Sequence, residues 1–239
     1  MDRIELFLDR VGPVVPFLQF ISKGKPFYVA GGVFLEGDFG DIDVWGVTPP
    51  TTEPGIHIFD APCILRHPGY TGCQYKCEVV TDNAVTYKVN KVNDVKVQVC
   101  LQPVTDLKSL LETFDFAICQ IGAKVSVPDK LEIEEFYETM HRYTAVKHRR
   151  LGYRGTNSPG ISLLRAVKYV KRIPDLDLNA VRNEVLQIVI DLINKGVEDP
   201  EKAFGGPLWS ETNEGRLSFV PELIHCLVKL QKIKILTAL

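Results

Sequence analysis

Asp41-Ile42-Asp43 opens the run DIDVWGV, whose other residues are apolar or glycine, and this placement constrains the fold more than any other feature of the chain. On an extended strand residues i and i+2 share a face, so the two carboxylates project together while Ile42 points into the opposite layer. Such a strand needs a core behind it and a polar or ligand-bearing face in front. Just upstream, FYVA at 27–30 reads as a buried strand, and Gly31-Gly32 as a tight turn leaving it. The chain thus offers strand, glycine turn, loop and acid-bearing strand in succession.

Metal ions that brace the attacking and leaving oxygens at a phosphorus require converging carboxylates, since Mg²⁺ and similar hard cations take oxygen ligands. With two acids on one strand, a third has to come from a neighbour. Asp115 is the candidate: it is the only charged residue of FDFAICQI at 114–121, a run that otherwise reads as a strand.

Charge is distributed unevenly. Residues 1–141 hold 12 Lys and Arg against 20 Asp and Glu, residues 142–172 hold nine basic residues and no acid, and residues 173–239 hold 7 basic and 10 acidic. A stretch free of carboxylates in a chain with a net charge of −2 is the footprint of a polyanion site. Arg165, Lys168 and Arg172 fall at i, i+3 and i+7 of one helical face with Tyr169 beside them. Arg165 and Lys168 are the candidates for phosphate contacts and Tyr169 for stacking on a base or sugar. Lys147, Arg149, Arg150 and Arg154 flank a glycine-rich loop and could track a nucleic-acid strand.

Coarse periodicity gives two short helices within the first 23 residues, broken at Gly12-Pro13, and strands at 75–80, 84–89 and 95–101. Residues 90–94 read as a hairpin loop, 48–73 as an irregular excursion with one short strand at 63–65, and 105–111 as a helix. Beyond Pro128 the pattern predicts helices at 130–148, from Ser158-Pro159 to 172, from Asp177 to 195 and at 220–235, with a loop at 205–207. The expected architecture is α/β (α+β): a mixed sheet core over 1–128 and a helical part over 129–239.

YVAGG, then DIDVW, then a distant FDF resembles the polymerase-beta-like nucleotidyltransferase superfamily, and the double glycine is similar to that of CCA-adding enzymes and poly(A) polymerases. The residues that follow it, VFLE, offer neither Ser nor Arg to a triphosphate. DNAVTYKV, VKVQVCL, LLETFDFAICQIG and SLLRAVKYVKR look like a branch found in viral and ankyrin-associated proteins. The resemblance covers about 27–172. It implies that Asp41 and Asp43 ligate two Mg²⁺ or Mn²⁺ ions, that Asp115 completes the one activating the attacking hydroxyl, and that Gly31 and Gly32 let backbone N–H groups approach the triphosphate.

The implied activity is transfer of an NMP from an NTP, ATP among them, to a hydroxyl of RNA, of a nucleotide or of a protein, with RNA or a nucleotide favoured by the basic stretch. The alternative is an inactive protein of the same fold that binds nucleotide or nucleic acid. His57, Cys63, His67, Cys73 and Cys77 crowd one segment but match no zinc-finger spacing, and thiols buried as small hydrophobes are the favoured reading. With 45% hydrophobic residues, 24% charged and no apolar run near the roughly 18 residues that span a bilayer, no membrane partner is expected. MDRIELFLDRVG lacks the apolar segment of an export signal, so the expected location is cytoplasmic, in the host cell if the protein is viral.

Overall fold

The computed structural model describes residues 2–37, 39–47, 75–81, 83–89, 95–156, 158–173 and 175–194. The expected strand at 63–65, the loops at 90–94 and 205–207, the helix at 220–235, and His57, Cys63, His67 and Cys73 lie outside them. The chain forms two compact units, one of Met1–Phe114 with Ile118–Tyr143, the other of Asp115–Ala117 with the chain from Thr144 onward.

In the first unit, α1 (Arg3–Val11) and α2 (Val15–Ser22) are joined by a 3-10 turn at Gly12–Val14, where Pro13 has its φ preset and no N–H left to satisfy. Asp2 and Glu5 close a capping box on α1. Seven strands follow: β1 (Phe27–Ala30), β2 (Asp41–Val47), β3 (Lys76–Val80), β4 (Ala84–Lys88), β5 (Lys96–Val104), β6 (Ile121–Ser126) and β7 (Glu132–Glu138). They form one mixed sheet in the order β3-β4-β5-β2-β1-β6-β7. Among the described strands only β2 and β5 run parallel, and the excursion through β3 and β4 provides the long crossover that a parallel pair needs.

One face of this sheet carries Phe27, Val29, Ile42, Val44, Val85, Tyr87, Val97, Val99, Ile121 and Val125, packed with Phe7, Val11, Phe17, Leu18 and Ile21 of the two N-terminal helices. β1 is buried at every position, as befits a central strand covered on both sides. On the other face Tyr28, Ala30 and Trp45 pack with Leu107, Leu110 and Leu111 of α3 (Leu107–Glu112). The N-cap of α3 is Asp106, whose carboxylate accepts from the Ser109 N–H at 2.8 Å and the Ser109 hydroxyl at 2.7 Å.

Those two hydrogen bonds lead the causes that hold the Asp106 carboxyl below its ordinary pKa. Its capping contribution is therefore complete above the ordinary carboxyl range and disappears as pH falls through the lowered folded value. Asp106→Ala is expected to cost about 1 kcal/mol near neutral pH. In denaturation series the gap from wild type should close in strong acid.

The run 130–148, expected to be one helix, is instead β7 followed by α4 (Met140–Lys147). β7 is the sheet edge, where Lys124 pairs with Glu134 at 3.0 Å and the half-buried Ile133 and Phe136 lie on the core. Its glutamates protect an edge strand and look, in sequence, like the charged face of a helix. Arg142, counted in the basic block, is buried: its Nε donates to the Ile118 carbonyl at 3.2 Å and its guanidinium pairs with Glu138.

The second unit contains α5 (Pro159–Arg172) and α6 (Leu178–Asn194), packed together. Pro159 takes the first turn of α5 as its sequence indicates, but the Ser158 side chain makes no capping bond. Asp177 does cap α6, accepting from Asn179 N–H at 2.9 Å and Ala180 N–H at 3.3 Å. Among the described residues no helix is long and apolar enough to cross a membrane.

Candidate functional site

Register sets out the surroundings of the acid pair. Asp43 lies between Ala30 of β1 and Gln98 of β5, and Asp41 beside Lys96 of β5. Ile42 and Val44 are fully buried on the helix-covered face, which leaves Asp41 and Asp43, both half-buried, on the face shared with Trp45, Tyr28 and Ala30. Gln98 donates to the Thr86 hydroxyl at 3.5 Å and Lys96 pairs with Glu78 at 2.7 Å, so the polar strip continues across β5 and β4. Neither strand paired with β2 contributes a carboxylate.

The glycine turn stands directly at this position. Ala30, the partner of Asp43, is the last residue of β1, and the chain passes straight into a 3-10 turn at Gly31–Phe34. Gly31 has φ +83°, and a Cβ there would lie 3.2 Å from Cε2 of Phe114, while one at Gly32 would meet nothing within 4 Å. The turn is thus closed on one side and open on the other. Gly31→Ala is expected to cost about 1 to 3 kcal/mol, from the left-handed backbone and the ring that must move; Gly32→Ala should be near neutral in the same denaturation assay.

The turn and the acid strand are connected by a segment fixed from behind. Arg10, in the last turn of α1, donates to the carbonyl oxygens of Val33 at 2.8 Å and Leu35 at 2.5 Å, and also to that of Gly37. Its guanidinium carbon lies 4.9 Å from the centre of the Phe39 ring. Phe7, one turn earlier, stacks on Phe34 with ring centres 4.6 Å apart. The sequence reading missed Arg10. Its only signal is a basic residue beside apolar Phe7 and Val11, and the backbone carbonyls it serves have no sequence mark.

Asp115 is placed differently from the expectation of a strand at 114–121. The segment bends, touches Tyr153 through a single bridge at Phe116, forms a 3-10 turn at Ala117–Cys119 and enters the sheet only at Ile121. Its backbone is satisfied by a loop of the second unit: Arg154 N–H donates to the Asp115 carbonyl at 2.8 Å, and Ala117 N–H to that of Gly152 at 2.8 Å. The Asp115 carboxylate, 7% exposed, accepts from the Ser162 hydroxyl at 2.6 Å and from Arg165 at 3.2 Å. Ser162 was not foreseen, although it stands one turn before Arg165 on the same helix.

Of the remaining basic candidates, Lys147, Arg149, Arg150, Arg154 and Arg165 are exposed, and Lys168 is half-buried. Tyr169 is half-buried with its ring edge-on to Phe116 at 5.7 Å. The loop bearing Arg149, Arg150 and Arg154 is shaped by Glu184 of α6, whose carboxylate accepts from the backbone N–H groups of Leu151 at 3.0 Å, Gly152 at 2.7 Å and Tyr153 at 3.3 Å. Burial pushes the Glu184 carboxyl upward, against those three donors and Arg150. At Gly152, φ is +71° and a Cβ would lie 2.7 Å from that of Ala117, so the tight passage depends on glycine.

Asp41 and Asp43 form a two-carboxylate donor set; among the described residues there is no cluster of three or more His, Cys, Asp and Glu placed to hold a metal ion. Two hard oxygens on one face, beside an open backbone turn, fit Mg²⁺ or Mn²⁺ that keeps water and phosphate oxygens in its other positions. Cys77 and Cys100 are half-buried and Cys119 is buried.

No protein-family model matches the sequence, and no curated protein does. Solved structures with similar coordinates include the Thermotoga maritima CCA-adding enzyme complexed with tRNA, at 15% identity and TM-score 0.43 over 98% of this chain and 55% of that one. A tRNA-processing enzyme in its apo form is 16% identical with TM-score 0.47 over 94% of this chain and 56% of its own. A tRNA nucleotidyltransferase complexed with a primer tRNA and an incoming ATP analog is 16% identical with TM-score 0.46, covering 93% and 61%. This chain spans between about half and three-fifths of the length of these structures.

Proposed function

We propose that this protein is a divalent-metal-dependent nucleotidyltransferase that moves an NMP from an NTP onto a hydroxyl acceptor, with RNA or a nucleotide favoured over protein. The observation that carries this reading is the pairing of Asp43 with the residue that immediately precedes the Gly31-Gly32 turn, with Asp41 beside it on the same sheet face. Two carboxylates and a side-chain-free backbone meet there.

In the transfer, the acceptor oxygen attacks the α-phosphorus, a new P–O ester bond forms, the bond to the bridging α,β oxygen breaks, and pyrophosphate leaves with its electron pair. The hydroxyl proton passes to solvent. Asp41 and Asp43 would hold Mg²⁺ or Mn²⁺, which would supply charge neutralisation at the phosphates. The bare backbone at Gly31 and Gly32 leaves room for close approach of the triphosphate. Asp115 acts in this reading by fixing Arg165, whose half-exposed guanidinium takes part in phosphate contacts. Lys147, Arg149, Arg150 and Arg154, exposed within one short stretch, give an RNA acceptor its backbone contacts.

The test is incubation with each labelled NTP and Mg²⁺ or Mn²⁺, with and without total RNA, scoring label transfer and pyrophosphate. Metal-dependent transfer with at least one NTP is expected. No turnover with any NTP, together with retained nucleotide or RNA binding, would instead identify an inactive binder of this fold.

A further inference from the structure

We infer that Arg10 is a positioning residue for the nucleotide site, and that the site is preformed because α1 fixes, from behind, the segment joining the glycine turn to the acid strand. The inference rests on the nucleotidyltransferase reading of that site. Its own ground is the geometry of residues 33–37 and of Phe39. One guanidinium takes carbonyls at Val33, Leu35 and Gly37, alternate positions of a segment without regular structure beyond the 3-10 turn, and lies against the Phe39 ring two residues before Asp41. Three carbonyls converging on one planar cation fix the path of a backbone that has no sheet partner among the described residues, and the fork geometry that does so belongs to arginine. Phe7 against Phe34 adds an apolar contact at the start of the same segment.

Both ends of the segment bear on the site, with Gly31-Gly32 before it and Asp41 after it. Its order in the free protein therefore determines how often turn and acid pair stand in binding geometry. Apparent affinity scales with the fraction of molecules in the competent state, whereas turnover of the bound complex does not. Loosening the clamp should accordingly raise KM and leave kcat unchanged.

Arg10→Lys keeps the charge and the aliphatic stem but loses the planar fork whose two terminal nitrogens reach the three carbonyls; Arg10→Ala removes the group. Hydrogen exchange at the amides of residues 33–37, with Mg²⁺·NTP titration and steady-state kinetics, is the experiment. In both variants exchange in that segment should accelerate while the rest of the sheet keeps its protection. The NTP Kd and KM should rise about tenfold, as for a competent fraction cut to a tenth, with kcat within about threefold of wild type. Saturating Mg²⁺·NTP should restore the exchange protection.

Unchanged exchange would overturn the clamp, and accelerated exchange with unchanged NTP affinity would overturn its link to the site. A fall in kcat at unchanged KM would overturn preformation. The wild-type arm separates the two layers: if wild type binds no NTP, the nucleotidyltransferase reading itself fails and this inference falls with it.

Discussion

Replacing Asp41 and Asp43 together by asparagine is expected to abolish metal-dependent transfer, with a loss of at least about a thousandfold, while the protein stays folded. Removing a single well-aimed electrostatic element from a transition state commonly costs about 10² to 10³ in rate, and this double change removes both anionic ligands of the proposed cation. The fold should tolerate it because the strand is anchored elsewhere. Ile42 and Val44 remain in the core, and the pairing of β2 with β1 and β5 is made by backbone. Asparagine has nearly the shape of aspartate and keeps a side-chain oxygen for the partners that each residue has, so the unfolding midpoint should stay close to that of wild type. Rate and denaturation measurements on the same preparation check both halves. Transfer that survives the substitution would place the metal elsewhere.

A large stability effect is expected at Asp115. Asp115→Ala leaves the Ser162 hydroxyl, fully buried at 0% exposure, without its acceptor at 2.6 Å. An unsatisfied buried hydroxyl costs about 1 to 3 kcal/mol. The Arg165 contact adds little, because that side chain is 52% exposed and its pairing is screened by solvent. A total near 2 to 3 kcal/mol is therefore expected in chemical denaturation. Asp115→Asn, which still offers an oxygen to Ser162, should lose no more than about half of that. Ser162→Ala combined with Asp115→Ala should cost less than the two single losses added, since each removes the same bond. Strict additivity would mean that the hydroxyl and carboxylate are not partners.

Local pattern revealed the parts of the fold that are locally determined. The helix break at Gly12-Pro13, the buried β1, the alternation that splits β2 between core and acid face, and the Asp177 cap all follow from neighbours within a few residues. β7 was hidden because an edge strand protects itself with glutamates and so takes on the composition of an exposed helix. The segment after Phe114 was hidden for a different reason: its backbone bonds go to Gly152 and Arg154, far along the chain, and an apolar run by itself does not reveal such a partner.

The same division applies to the candidate site. The shared face of Asp41 and Asp43 follows from strand periodicity, and Gly31 from the turn that needs a positive φ. Asp115 stood out as a charge among apolar residues, but its partners Ser162 and Arg165 lie 47 and 50 residues away. Arg10 and Glu184 were invisible for a related reason. Both act on backbone groups, Arg10 on three carbonyls and Glu184 on three N–H donors; every residue type carries the carbonyl and every one but proline the N–H. Charge counting could mark the 142–172 block as basic, yet only the structure separates the buried Arg142 from its exposed neighbours.

The central claim, that Asp41 and Asp43 hold the cation that carries the triphosphate, is tested most directly by Mn²⁺ paramagnetic resonance titration with a non-hydrolysable NTP analogue. The account predicts that Mn²⁺ and analogue each tighten the binding of the other in wild type, and that this coupling vanishes in the Asp41→Asn/Asp43→Asn protein. Coupled binding that persists unchanged in that variant, or its absence from the wild type, would contradict it.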